Sequence, residues 1–294
     1  MLLSKDIILK GNRAIAKSYA KINLTLDVLG RLDNGYHQVE MLMQTVNLFD
    51  LIIVDREERN IRVSTNLKYL PANDKNIAHK ACVEFFKATG IRGGAKILIH
   101  KNIPVAAGLA GGSGNGAAVL CALNLLYNAG LSAEALCEIG GRLGADVPYC
   151  ITGGTQLAAG LGDQLQPVAP MPEAIVLLVR PPISISTPMI YSRIDTVLLD
   201  QHPDTPGMIS AIQRQNLPQI AAKLYNVMEQ VTVQEHPVLR GIKQKLISNG
   251  ALGAAMSGTG PTVFGLFDDF EKAKDSADSF STMYKDVYLT RTIQ

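Results

Sequence analysis

The chain has 294 residues, room for one large domain or two of ordinary size, and 47% hydrophobic against 18% charged residues allows a buried core in each half. A formal net charge of +2 with no dense basic run argues against a nucleic-acid surface as the main function. No stretch is apolar enough for a membrane helix, residues 1–16 lack the uninterrupted apolar core of a signal peptide, and Cys82, Cys121, Cys137 and Cys150 stand apart without a C-x-x-C spacing, so a cytoplasmic protein with free thiols is expected.

The predicted elements begin with one or two strands over 14–29, which is rich in β-formers. Asp33-Asn34-Gly35-Tyr36 marks a turn, and 40–55 reads as extended again. Residues 76–89 have helical spacing, with Ile77, Ala81, Phe85 and Ala88 on one side and a stop at Gly90. A short strand over 95–100 leads to a glycine-rich loop and a helix over 114–128, and Ser132 caps a shorter helix reaching about 143. The loose glycine-rich stretch 153–162, followed by Pro167, Pro170 and Pro172, is the best candidate boundary, giving domains 1–165 and 166–294. Beyond it come a buried-type strand over 175–180, a rigid loop over 181–188, and helical segments over 208–230 and 236–248. Two strands flank Ser257-Gly258-Thr259-Gly260-Pro261, and a helix over 270–279 and a strand over 287–290 follow.

The loop holds the strongest chemical signal. From Gly108 to Gly116 five of nine residues are glycine, and an apolar run follows at once. Glycine lets backbone approach an anion closely, and a helix start offers free N–H groups and the positive end of the macrodipole. The loop contains no lysine, and no Walker string exists in the chain. A relaxed dinucleotide fingerprint does occur at Gly112, Gly114 and Ala117. It needs a strand running directly into the first glycine, and here Pro104 and several further residues intervene.

Other elements add to the loop. In Ser18-Tyr19-Ala20-Lys21-Ile22-Asn23-Leu24 a lysine sits in an extended apolar segment. In Leu143-Gly144-Ala145-Asp146-Val147-Pro148 a lone carboxylate follows a helix. Near a phosphate loop, such a carboxylate can take a proton from a substrate hydroxyl, and such a lysine can hold that hydroxyl and favour its alkoxide-like form. The turn Gly35-Tyr36-His37 offers two rings to a planar base, and Thr187-Pro188 with Tyr191 offers a hydroxyl and a further aromatic. Met256-Ser257-Gly258-Thr259-Gly260-Pro261-Thr262 is a second glycine turn, suited to close approach to a substrate or to the first loop.

The pattern Pro-x-x-x-Gly-Leu-x-Gly-Gly-Ser, with these elements in this order, resembles the GHMP kinase superfamily. The Gly-Tyr-His and Gly-Ala-Asp-Val-Pro elements resemble the branch that phosphorylates the methylerythritol part of a CDP-alcohol in the non-mevalonate isoprenoid route. The resemblance implies an α+β, two-domain GHMP kinase fold, with an N-terminal ribosomal-protein-like α/β domain and a smaller C-terminal α+β domain. It implies ATP and Mg²⁺, with Lys21 and Asp146 catalytic. Pro104, Val105, Ala106, Ala107, Gly108, Leu109, Ala110, Gly111, Gly112, Ser113 and Gly114 would wrap the ATP phosphates, Ser113 bonding an oxygen or the metal. Asn23, Tyr36, His37, Lys101, Thr187 and Tyr191 would face the cytidine-diphosphate substrate. No residue is assigned as a metal ligand, no nucleic-acid or membrane partner is expected, and a monomer or weak homodimer is. The family usually has Gly-Gly-Ser-Ser in the loop, and here Gly114 replaces the second serine. About a dozen residues precede the motif region without an assigned role. Another GHMP enzyme acting on a different small alcohol, or a nucleotide-binding protein that has lost catalysis, stays open as an alternative.

Overall fold

The computed structural model describes residues 6–33 and 35–294; Asn34, at the centre of one expected turn, lies outside them. The chain divides into two compact units that interleave along the sequence. The first takes the residues through Ala20, Leu48–Val105 and Ala110–Gly153; the second takes Lys21–Asn47, Ala106–Leu109 and Gly154–Gln294. This division does not coincide with a boundary at 165. Two long strands, β2 (Arg13–Arg31) and β3 (His37–Glu57), each contribute one part to one unit and one part to the other.

In the first unit, β1 (Ile7–Lys10) pairs antiparallel with the start of β2, Ile7 opposite Ala16, so part of the unassigned N-terminal stretch is a sheet strand. The end of β3 pairs antiparallel with β5 (Gly94–His100), which pairs in parallel with β4 (Ile61–Thr65). Helix α1 (Ile77–Thr89) starts where Asn76 accepts from Ala78 N at 2.9 Å, and it stops at Gly90 in the left-handed region. Helix α2 (Gly111–Leu126) is buried without a break from Gly114 to Leu123, the pattern of a helix packed on all sides. Helix α3 (Ala133–Gly141) is capped by Ser132 and followed by α4 (Asp146–Thr152), so Asp146 opens a helix of its own. A Cβ at Gly140 would lie 2.9 Å from Val147 Cγ1, which is how α3 and α4 pack so closely. The shared core includes Phe85, Ile52, Ile97, Val119, Leu123 and Ile151, with Phe85 and Phe86 edge to face at 5.5 Å.

In the second unit, the start of β3 pairs with β6 (Thr155–Ala159), and β6 with β7 (Gln164–Pro167). The expected loose stretch over 153–162 is therefore partly a strand. Its positive-φ glycines, Gly153, Gly154, Gly160 and Gly162, flank the ladder and leave it whole. A second sheet, all antiparallel, has the order β10 (Gly253–Met256), β11 (Val263–Phe267), β8 (Ile175–Arg180), β12 (Asp286–Arg291). Around these strands lie α5 (Thr187–Ile194), α6 (Thr205–Gln213), α7 (Leu217–Ala222), the short strand β9 (Tyr225–Asn226), α8 (Glu229–Glu235), α9 (Val238–Ser248) and α10 (Phe270–Ser281). The last residues return to β3: Gln44 Nε2 donates to Ile293 O at 2.8 Å, Ile293 N donates to Thr45 O at 3.1 Å, and Val46 bridges Thr292.

Phe85→Ala should cost about 3–5 kcal/mol, because it opens a cavity in a core that cannot collapse around it. Urea denaturation followed by circular dichroism measures the loss.

Candidate active site

From Ala20 to Val28, β2 is buried on both faces. Alternation puts Ile22, Leu24, Leu26 and Val28 on one face and Lys21, Asn23, Thr25 and Asp27 on the other. A buried polar row must be partnered. Thr25 Oγ1 accepts from Leu42 N at 3.2 Å, and Asp27 Oδ1 accepts from Val28 N and faces His202 Nδ1, both at 2.8 Å. Lys21, only 4% exposed, donates from Nζ to Asn23 Oδ1 at 2.5 Å. The same Asn23 oxygen accepts from Gly258 N at 2.9 Å.

That bond brings in the second glycine turn. Asn226 Nδ2 donates to the carbonyls of Met256 and Gly258, each at 2.7 Å, and Glu229 Oε1 accepts from Met256 N at 2.7 Å. The turn also touches the loop segment 106–109. Ser257 Oγ donates to Gly108 O at 2.9 Å, and a Cβ on Gly108 would come within 2.1 Å of Ser257 O. Gly108 has φ +75°, so both space and backbone geometry require glycine. Lys21 N donates to Leu109 O at 3.2 Å, which ties the same segment to β2. Close approach of the second glycine turn to the first is thus realised at Gly108.

In the first unit, Ala110 stands at the start of α2 in the left-handed region with φ +54°, and no side chain caps the helix. Its first turn carries no acidic residue, and a Cβ at Gly112 would meet nothing within 4 Å. Uncapped N–H groups facing open space fit an anion. Ser113 is half-buried and Gly114 fully buried. A Cβ at Gly114 would lie 2.6 Å from Ser18 Oγ and 3.3 Å from Tyr19 O, so the side of the helix that a second serine would use is filled by Ser18. Asp146 is half-buried in the first turn of α4. The Lys101 ammonium is 5% exposed and pairs with the fully buried Asp50 carboxylate, with Asn115 Oδ1 at 3.3 Å. Pro104 and Val105 belong to this unit as well.

The aromatic residues expected on the substrate side fall in the second unit. The His37 and Tyr191 rings stack at 4.8 Å, and His37 Nε2 lies 2.7 Å from Asp195 Oδ1. The hydrogen bond to His37, with the charges of His37 and Arg31 adding to it, holds the Asp195 carboxyl below the usual carboxylate range. Thr187 Oγ1 and Thr259 Oγ1 are 2.9 Å apart, which joins α5 to the second glycine turn. Tyr36 is 66% exposed. Of the expected site residues, Lys21, Asn23, Tyr36, His37, residues 106–109, Thr187 and Tyr191 share this unit; Lys101, Pro104, Val105, residues 110–114 and Asp146 share the other. Asp50, Ser18, Asn115, Asp195 and Asn226 were not singled out from sequence. Asp50 did leave a signal, as one acid inside the apolar run Leu48-Phe49-Asp50-Leu51-Ile52-Ile53-Val54.

The fold and its two glycine turns are those of a GHMP kinase. Residues 76–154 match the family described as GHMP kinases N terminal domain, and 208–286 match GHMP kinases C terminal. The 4-diphosphocytidyl-2-C-methyl-D-erythritol kinase of Alkaliphilus metalliredigens (strain QYMF) is 44% identical over 277 residues, covering 94% of this chain and 95% of the relative. A crystal structure of 4-(cytidine 5'-diphospho)-2C-methyl-D-erythritol kinase superposes with a TM-score of 0.81 at 28% identity, over 95% of this chain and 99% of that one. Homoserine kinase from Cytophaga hutchinsonii shares the fold at a TM-score of 0.75 and 17% identity, over 96% of each chain. The chain belongs to the 4-diphosphocytidyl-2-C-methyl-D-erythritol kinase family of the GHMP kinases.

Gly114→Ser should lower stability by about 1–2 kcal/mol, because the new side chain pushes the Ser18 hydroxyl off Asn115. Ser18→Ala should relieve part of that cost, so thermal denaturation of the double variant will show less loss than the two single losses added together.

Proposed function

We infer that this chain is an ATP-dependent kinase that phosphorylates the 2-hydroxyl of 4-diphosphocytidyl-2-C-methyl-D-erythritol in non-mevalonate isoprenoid biosynthesis. The observation that carries this reading is kinship over nearly the whole chain, 44% identity across 94% of it, with a relative of that name. The uncapped first turn of α2, free of acidic side chains, supports residues 104–114 as the phosphate-binding loop.

In the reaction the substrate hydroxyl oxygen bonds to the γ-phosphorus of ATP as the bond to the bridging oxygen breaks. ADP leaves with that electron pair. We assign Asp146 as the base that takes the hydroxyl proton. Lys21 would hold the same oxygen and stabilise its developing charge; Asn23 and Gly258 N fix the position from which it acts. The Ser113 hydroxyl, together with the ATP phosphates, would hold Mg²⁺, which would supply neutralisation of charge on the transferring group. Tyr36, the stacked His37–Tyr191 rings and Thr187 would take the cytidine end. Asp195 bonds the His37 ring and so fixes its plane. Lys101 was expected on that side too; its contacts to Asp50 and Asn115 support a different role for it.

The enzyme would act in the cytoplasm on a small molecule, without nucleic acid or membrane, as a monomer or weak homodimer. Among the described residues no helix is long and apolar enough to cross a membrane. Burial pushes the Cys82 and Cys121 thiols up to about 12, which keeps them unreactive.

Turnover with the CDP-alcohol should exceed that with mevalonate or homoserine by orders of magnitude in a coupled ADP-release assay. A preference for either of the other alcohols would overturn the substrate assignment. Asp146→Asn should bind ATP normally and lose at least about 10²-fold in kcat; near-normal turnover would remove it as the base. Tyr36→Ala should raise KM for the cytidylated substrate and leave KM for ATP within about twofold.

A further inference from the structure

The polar groups under the phosphate loop form one buried network centred on Asp50, and the chemistry above does not use it. Asp50 is fully buried. Its Oδ1 accepts from Asn102 N at 2.7 Å and Ile103 N at 2.8 Å, the last two residues before Pro104. Its Oδ2 accepts from the Lys101 ammonium and from Asn115 Nδ2 at 2.8 Å. Asn115, on the second turn of α2, also donates to Ser18 Oγ at 3.2 Å. One carboxylate therefore fastens the chain where it leaves β5 and again where it has entered α2. Between these two points lie residues 104–114. A Cβ on Gly111 would lie 3.1 Å from Lys101 Nζ, so the ammonium sits directly beneath the first turn of the helix.

We propose that Asp50 is a positioning residue for nucleotide: it sets the two ends of the phosphate loop at a fixed separation, so the N–H groups of α2's first turn are aimed before ATP arrives. Lys101 is its counter-ion, and Asn115 carries the restraint into the helix. A buried ion pair contributes little net stability, since desolvation offsets the attraction. Its four donors converging on one carboxylate nonetheless fix geometry, and preset amides bind an anion without paying for their own ordering. The proposal rests on residues 104–114 being the ATP loop.

The test compares the full-length protein with Asp50→Asn, Asn115→Ala and the double variant Asp50→Asn/Lys101→Met. Calorimetry with Mg²⁺ and a non-hydrolysable ATP analogue gives Kd, thermal denaturation gives Tm, and steady-state assays give KM for each substrate. Asp50→Asn should raise Kd for the analogue by about tenfold or more and leave KM for the alcohol within about twofold. The double variant should recover Tm, because no uncompensated charge remains buried, while Kd stays raised. Should Asp50→Asn fail to fold, Asn115→Ala carries the comparison, with a rise in Kd of about threefold or more expected. An unchanged Kd in a folded variant, or a Kd that returns with Tm in the double variant, would overturn the proposal. Wild-type protein that fails to bind the analogue would overturn it as well, by removing the loop assignment. Wild-type protein that binds the analogue and leaves the CDP-alcohol untouched would overturn only the substrate reading.

Discussion

An ammonium group held at 4% exposure inside a strand dictates the surroundings of Lys21. Removing a charge from water costs several kcal/mol unless partners replace the solvent, so the sequence around Lys21 has little freedom. Asn23 must point the same way, which the two-residue period of β2 ensures. Its oxygen must be shared with a backbone N–H, which the turn at Gly258 provides. That turn must be held still, and Asn226 and Glu229 bond its backbone from β9 and α8. A chain of hydrogen bonds thus runs from one lysine to three later segments of the second unit: the Gly258 turn, β9 and α8.

The glycine-rich loop is fastened on a different principle at each of its parts. Segment 106–109 is pressed against the Ser257 turn by steric fit, with Gly108 admitting a carbonyl where any side chain would collide. The residues on either side of it in the first unit are held by charge, through the Asp50 carboxylate. Neither restraint is readily loosened by salt. Steric fit is insensitive to salt and pH, and a buried ion pair is screened far less by salt than an exposed one.

The sequence displayed what depends on local pattern. The β-formers over 14–29, the helical spacing ended by Gly90, the Ser132 cap and the density of glycine in the loop are all short-range features, and they marked the strand, the helices and the loop. What stayed hidden depends on distant partners. Asp50 finds Lys101 at a separation of 51 residues and Asn115 at 65, so no window of sequence contains the network. Lys101 was placed on the substrate side by the family resemblance alone, and its pairing with Asp50 was not legible. The glycines around 153–162 suggested a break, because composition does not tell glycines that bound a strand from glycines that dissolve one. The substitution at Gly114 read as a lost hydroxyl; in space it is the vacancy into which Ser18 fits.

The return of the final residues to β3 sets a schedule for folding. Gln44 waits for a carbonyl 249 residues downstream. At a synthesis rate of roughly 5–20 residues per second, that wait lasts on the order of ten to fifty seconds. For that interval the nascent chain carries the inner part of β3 with one bonding partner missing, an open strand edge of the kind that recruits neighbouring chains. The second unit, which begins at Lys21, is therefore among the last parts of the molecule to close.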